Sequence, residues 1–338
     1  MKKPIHYFLS SNSSRGFVSF LEPALRYLDT VIRLNGWPGE TAELFLEEIA
    51  EEAKSKEMEI HFVHNCLDNK LTGIILPEIS SAVISLPLSE RSEHNVLNLL
   101  SDQNIQKANH EFMCAFEDFQ KAIQIHDGWE KIYISAMNFD AADSLADDTI
   151  QKLIGQNRGT KSEGICCDRY FGAATIGGSV DYISNITADL PRRFFIKGRP
   201  GTGKSTFLKK IGAAAASQGF DVERYHCALD PNSMDLIVVR ELEFCVFDST
   251  APHEYFPERE GDEIIDIYAA VVEPGTDEKN EEELTKIQSR YKSQVAQATS
   301  HLKNAFYALR DFSSEYFVLD PATIQQEKDM ILQKIFSK

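Results

Sequence analysis

The chain has 338 residues, 43% apolar and 26% charged, and its 52 acidic against 35 basic side chains give a formal net charge of -17. That length suits roughly two domains, each with a full core. The acidic balance argues against binding nucleic acid or anionic lipid through a broad basic surface, which needs clustered Lys and Arg. No apolar run reaches the roughly 18 residues of a membrane-spanning helix.

Met1-Lys2-Lys3-Pro4 leads into a strand-like His6-Tyr7-Phe8-Leu9 rather than a signal-peptide core, so the expected location is the cytoplasm. The first half continues through a turn at Leu34-Asn35-Gly36-Trp37-Pro38-Gly39, a helix carrying Phe45-Leu46, the landmarks His64 and Asp68, and two buried strands. These strands are Ile74-Ile75-Leu76 and Ala82-Val83-Ile84-Ser85. A helical stretch follows from Glu93 to Gln156, with Phe112, Phe116 and Phe119 on an apolar stripe best explained as core. The polar, glycine-rich run Gly155 to Gly164 reads as a linker, dividing residues 1–160 from 161–338. Six cysteines (Cys66, Cys114, Cys166, Cys167, Cys227, Cys245) lack CxxC spacing and are expected to be reduced, mostly buried thiols.

The second half repeats the first. Arg169-Tyr170-Phe171 matches His6-Tyr7-Phe8, and a constant spacing of 162 residues carries Gly36 onto Gly198, Phe45-Leu46 onto Phe207-Leu208, His64 onto His226 and Asp68 onto Asp230. Ile74-Ile75-Leu76 falls on Leu236-Ile237-Val238, and Ala82-Val83-Ile84-Ser85 falls on Cys245-Val246-Phe247-Asp248 after a one-residue shift. Strand and helix signals alternate in both halves, so the expected fold is α/β: two tandem domains, each a parallel sheet flanked by helices with a helical extension. A polar break at Glu273 to Asn280 precedes the second extension, Glu281 to Lys338, where Leu302, Phe306 and Leu309 form another core-type stripe.

Gly198-Arg199-Pro200-Gly201-Thr202-Gly203-Lys204-Ser205 satisfies G-x-x-x-x-G-K-[ST] between the strand Arg193 to Ile196 and a helix starting near Thr206. Its glycines let backbone N–H groups turn around an anion at a helix N-terminus. Lys204 is expected to reach the β- and γ-phosphate oxygens, Ser205 to be a ligand of Mg²⁺, and Thr206 to support Ser205 or cap the helix. Phe244 to Phe247 reads as a metal-side strand ending in Asp248. His253 and Glu254 follow closely enough to position a water or an acceptor hydroxyl. Asp230 is either a second acidic partner or, with His226, a turn stabiliser as in the first half. Asp235 lies at the same strand edge, and Arg199 and Arg240 are conceivable lid residues.

The first half reads Gly36-Trp37-Pro38-Gly39-Glu40-Thr41-Ala42-Glu43 over the same turn, with Ala42 for Lys204, Glu43 for Ser205 and Ser85 for Asp248. Losing the lysine and adding carboxylates repels a triphosphate, so only the C-terminal site is expected to work.

The Gly198 to Ser205 loop, His226-Cys227 with Asp230, and Asp248-Ser249-Thr250-Ala251-Pro252-His253 resemble a little-characterised bacterial family of duplicated P-loop proteins, over nearly the whole chain. The resemblance implies an ATPase or nucleotide kinase; Ser249 replaces a family-like glycine. The leading expectation is a Mg²⁺-dependent ATPase whose cycle is coupled to movement of the halves and helices, through Lys204, Ser205 and Asp248. A nucleotide or small-molecule kinase and a non-catalytic ATP-gated module that binds a protein partner remain alternatives. No Asn-Lys-x-Asp guanine-reading motif follows, which favours ATP over GTP.

Overall fold

The computed structural model describes residues 3–35, 37–85, 103–251, 253–316 and 320–336. Gly36, Pro252 and the part of the first expected helical stretch before Gln103 lie outside them. The first half contributes β1 (Ile5–Phe8), the hairpin β2 (Ser10–Ser13) and β3 (Gly16–Ser19), α1 (Leu21–Leu25), β4 (Thr30–Arg33), α2 (Gly39–Ser55), β5 (His61–His64), β6 (Leu71–Leu76) and β7 (Ser81–Ile84). Two helices follow, α3 (Gln103–Ile134) and α4 (Phe139–Leu153). The second half gives β8 (Cys166–Tyr170), the hairpin β9 (Gly172–Thr175) and β10 (Gly178–Asp181), α5 (Ile183–Ile186), β11 (Arg192–Lys197), α6 (Lys204–Ser217), β12 (Val222–His226), β13 (Met234–Val239) and β14 (Phe244–Asp248). It ends in β15 (Asp262–Asp266), α7 (Ile267–Val271), α8 (Thr276–Lys279), α9 (Glu281–Tyr316) and α10 (Pro321–Phe336).

One eleven-stranded sheet runs through both halves in the order β15-β11-β14-β13-β12-β8-β1-β5-β6-β7-β4. The halves meet where β1 and β8 pair antiparallel at Phe8 and Tyr170, so the sheet reads alike outward from this centre. Phe8 pairs with His64 as Tyr170 pairs with His226. The true equivalents of His6, Tyr7 and Phe8 are therefore Asp168, Arg169 and Tyr170, one residue off the sequence match. Both halves carry a bulge at the same place, between Val63 and His64 and between Tyr225 and His226.

The all-parallel expectation is corrected in both halves, because β6 and β13 run antiparallel to both neighbours. A parallel return needs a crossover of about a dozen residues or more. Here β13 reaches β14 through one 3₁₀ turn, Arg240–Leu242, closed by Glu243 at φ 54°, and β6 reaches β7 through Pro77–Ile79 closed by Ser80 at φ 50°.

Alternation along the strands splits the core. Phe194, Ile196, Ile237, Val239, Phe244 and Val246 face α4, α6 and α7, while Phe195, Leu236, Val238, Cys245 and Phe247 face α5 and a layer shared with Tyr7, Leu21 and Leu25 of the first half. α6 is rich in alanine, a strong helix former, and buries Phe207, Leu208, Ile211 and Ala215.

The helical extensions exchange places. α4, from the first half, packs on α6 and α7 through Ala146 and Leu153, and α10, from the second, covers α2 through Ile324 and Ile335. Trp37 Nε1 donates to Glu327 Oε2 at 2.6 Å. Between them α3 and α9 lie antiparallel, joined by Phe119 and Leu302 and by His301 Nδ1 with Glu111 Oε2 at 2.7 Å. The hairpins exchange as well: Ser14 N–H donates to Leu229 O at 3.1 Å and Ile176 N–H to Leu67 O at 2.8 Å. Covering elements thus cross the expected 160/161 division in both directions. The linker lies on the end of α6, with Gly159 N–H on Gln218 O and Gly164 N–H on Ala216 O.

All six cysteines are free thiols; Cys66 and Cys245 are buried and the other four half-buried. No helix among the described residues is long and apolar enough to cross a membrane.

Candidate functional site

The Gly198–Ser205 loop joins the end of β11 to the first turn of α6, where unbonded helix N–H groups collect. Gly201 (φ 77°) and Gly203 (φ 84°) occupy the left-handed region that side chains disfavour, and Gly203 is the residue on which α6 starts. Thr202 is buried beneath the turn, its Oγ1 donating to Arg199 O at 2.8 Å and accepting the Arg199 N–H at 3.3 Å. Arg199 leaves the loop sideways, its guanidinium donating twice to Asp277 Oδ2, at 3.1 and 2.8 Å, and once to Gly198 O at 3.3 Å, with its plane over Tyr268. It anchors the loop rather than closing over it. Pro200 opens the turn, and Thr206 is exposed on the first turn of α6.

Lys204 folds its ammonium back onto Arg199 O at 2.9 Å and lies 3.5 Å from Asp248 Oδ2. Asp248 ends β14, its Oδ1 accepting the Thr250 N–H at 3.1 Å and hydroxyl at 2.7 Å. The Ser205 hydroxyl accepts the Met234 N–H at 2.9 Å, which brings the start of β13 against the loop. Asp235 sits one register step before the Leu236–Phe247 pair, beside Asp248. Burial, and then the Asp248 charge, push its carboxyl up to about 6. Lys204, Ser205, Asp235 and Asp248 therefore converge on one sheet edge: a cation, a hydroxyl and two carboxylates around backbone donors.

His253 stays within electrostatic reach of Asp235, while the other candidates separate. His253 is held to Asp181, Nδ1 to Oδ2 at 2.8 Å. Burial raises the Asp181 carboxyl, but hydrogen bonds from His253 and Tyr255 outweigh it and keep Asp181 below its ordinary value. An ionised Asp181 only accepts, so the His253 proton is on Nδ1. Glu254 turns out to Lys197 at 3.5 Å and is half-exposed; Lys197 itself ties down the loop through Ser249 O and Tyr255 O, both at 2.8 Å. Glu254 is not brought to the phosphate side. Arg240 lies at the opposite end of β13, where it binds Glu223 and Asp189, which excludes it as a lid.

His226 and Asp230 play the turn-holding part. His226 Nδ1 meets Pro231 O at 2.7 Å as His64 Nδ1 meets Asn69 O at 3.0 Å, and Asp230 takes the Asn232 N–H as Asp68 takes the Lys70 N–H. The second nitrogen of each imidazole meets the equivalent strand position: Asp168 for His226 at 2.7 Å, His6 for His64 at 2.9 Å. Burial, with His6 in place of a carboxylate, leaves the His64 pKa at about 4.

In the first half the loop geometry is gone. α2 starts at Gly39, one turn earlier than Ala42, the equivalent of Lys204, so helix replaces the end of the loop. Glu43 takes the Leu71 N–H at 3.2 Å where Ser205 takes that of Met234. Thr72 and Ser85 stand at the positions of Asp235 and Asp248.

Residues of α3 and of the turn that follows it complete the rim. Glu130 lies against Gly201, and the Met137 methyl is 3.1 Å from where a Cβ on Gly203 would stand. His126 reaches Glu130 at 3.5 Å and packs on Tyr291 of α9. Nothing in the Phe112 stripe indicates which surface α3 covers, so these residues carried no sequence signal. The sequence match set Gly73 opposite Asp235 and Ile74 opposite Leu236; strand pairing moves both by one, to Thr72 and Gly73, so the loss of this carboxylate was not readable in the sequence. No family model matches this chain, and no curated protein or solved structure is significantly similar to it.

Proposed function

We propose that the Gly198–Ser205 cleft binds Mg²⁺ with a nucleoside triphosphate, ATP in preference to GTP, and that the protein is an ATPase with one working site. In this reading the chain is two tandem P-loop NTPase-like units of the duplicated family that the sequence resembles. The observation that carries it is the convergence of Lys204, Ser205, Asp235 and Asp248 at a glycine loop, where the other half has Ala42 and Glu43 on a helix and Thr72 and Ser85 on the strand side.

The donors suit the groups to be held. Backbone N–H groups and Lys204 oppose phosphate charge, and the oxygens of Ser205 and Asp248, backed by Asp235, are the hard ligands Mg²⁺ prefers. A bound Mg²⁺ would be held by Ser205 and Asp248 and would supply positive charge to offset that of the phosphate oxygens. Lys204 would do the same from the loop side. His253, with its proton fixed on Nδ1, is the candidate to orient a water through Nε2.

The test is ADP formation from Mg²⁺–ATP, alone and with a panel of nucleoside monophosphates, in the intact protein and Lys204→Ala. Hydrolysis without acceptor, lost in Lys204→Ala, is expected. Acceptor-dependent phosphorylation makes the protein a kinase, tight binding without turnover makes it a switch, and failure to bind any nucleotide overturns the reading.

A further inference from the structure

α3 belongs to the repeat without a glycine loop, yet its C-terminal third lies across the loop of the other repeat. A Cβ on Gly201 would stand 2.6 Å from Glu130 O, 2.8 Å from Glu130 Cα and 2.9 Å from Glu130 Cβ, so the helix touches the turn with no gap. The Glu130 carboxylate lies near the Gly201 N–H and 3.5 Å from His126 Nδ1. Gly201 is one of the positions whose N–H groups this type of loop offers to phosphate oxygens. The helix is further tied down by the Tyr133 hydroxyl on Asp277 at 2.8 Å, the carboxylate that also holds Arg199.

We propose that Glu130 is an internal stand-in for phosphate: its carboxylate occupies the anion seat at Gly201, and a nucleotide enters by displacing it, lifting the end of α3 and, through their antiparallel packing, α9. The inference rests on the nucleotide reading of the same loop. A carboxylate is the natural competitor for a seat built of N–H donors, since it accepts the same hydrogen bonds and carries the same sign of charge. The groups around it are His126, Asp127, Lys204 and Asp230. Of these, Lys204 also attracts the incoming triphosphate, so Glu130 and the ligand compete for one cation as well as one N–H. Displacement adds to the free-energy cost of binding, so apparent affinity is reduced by the fraction of molecules in which Glu130 is seated.

The chain has two tryptophans, Trp37 and Trp129. In a Trp37→Phe background, Trp129 alone reports the end of α3, one residue from Glu130. Mg²⁺–ATP is titrated against this protein and against Glu130→Gln, Glu130→Ala, Asp127→Asn and Lys204→Ala made in it, following Trp129 emission and, separately, bound nucleotide by equilibrium dialysis. Glu130→Gln and Glu130→Ala are expected to bind about tenfold tighter, Asp127→Asn to change affinity less than about threefold because it removes a neighbouring charge without touching Gly201, and Trp129 emission to change on binding. Equal affinity of the Glu130 variants and the parent, with binding lost in Lys204→Ala, overturns the inference and leaves the nucleotide reading standing. An equal gain in Asp127→Asn also overturns it, since general charge then accounts for the effect. No binding by the parent or either Glu130 variant overturns both.

Discussion

The Lys204 ammonium lies 3.5 Å from the Asp248 carboxylate, across the gap between the first turn of α6 and the end of β14. The pair is polarised for a ligand that brings phosphate to one member and a cation to the other. Asp248→Asn keeps the Thr250 contacts possible while removing the charge, so the fold is expected to persist. Mg²⁺-dependent ATP hydrolysis is expected to fall by about a hundredfold or more, in line with losing one electrostatic group in a dry site. Steady-state kinetics across Mg²⁺ concentrations checks it; unchanged kcat and Mg²⁺ dependence removes Asp248 from the site.

Stoichiometry tests the asymmetry of the repeats. Converting the first half with Ala42→Lys and Glu43→Ser restores two residue types but not the loop, because α2 still begins at Gly39. Calorimetric titration of that double variant is expected to give one nucleotide per chain, as in the parent. Two sites would mean that side chains, not backbone course, decide binding here.

The exchanged helices set a folding expectation. Fragments 1–160 and 161–338 each lack a helix that covers their own core: Ile324 and Ile335 seal the first half, Ala146 and Leu153 the second. Expressed alone, each fragment is expected to be poorly soluble or molten, and co-expressed they are expected to co-purify. The intact chain should melt in one transition. Two independently folded fragments would contradict this.

Acid stability turns on Glu223. Burial raises its pKa, but Arg169 at 3.4 Å and Arg240 at 2.7 Å outweigh that and hold it at about 2, against 4.5 in an unperturbed chain. A depressed carboxylate gives stability that is fully present above the unfolded value and is lost as pH falls from 4.5 toward 2. The shift corresponds to about 3 kcal/mol. Urea denaturation of the parent should lose stability over that window, and Glu223→Gln should be weaker at pH 7 with a flatter profile below pH 4.5. A parallel decline in both proteins would assign the acid sensitivity elsewhere.

Much of this arrangement is local and therefore legible. Alternating strand and helix signals give an α/β sheet flanked by helices, and Gly198 to Ser205 marks a strand–loop–helix joint because glycine spacing encodes backbone course directly. What escaped is set by partners distant in sequence. A stripe such as Phe112, Phe116 and Phe119 states that α3 buries one face, not that its far end reaches Gly201. Strand direction escaped for a nearer reason: the few residues between Val239 and Phe244 admit only a reversal, and apolar runs read the same in either direction. The match of His6 to Arg169 slipped by one because the hydrogen-bonded pairs, not the similar aromatics, fix equivalence.

The antiparallel meeting of Phe8 and Tyr170, with hairpins clasped across it at Ser14–Leu229 and Ile176–Leu67, ties the two halves together at three places along one seam. On the proposed reading, the end of α3 that lies on Gly201 is the element a bound nucleotide would push first, and α9 is packed along it.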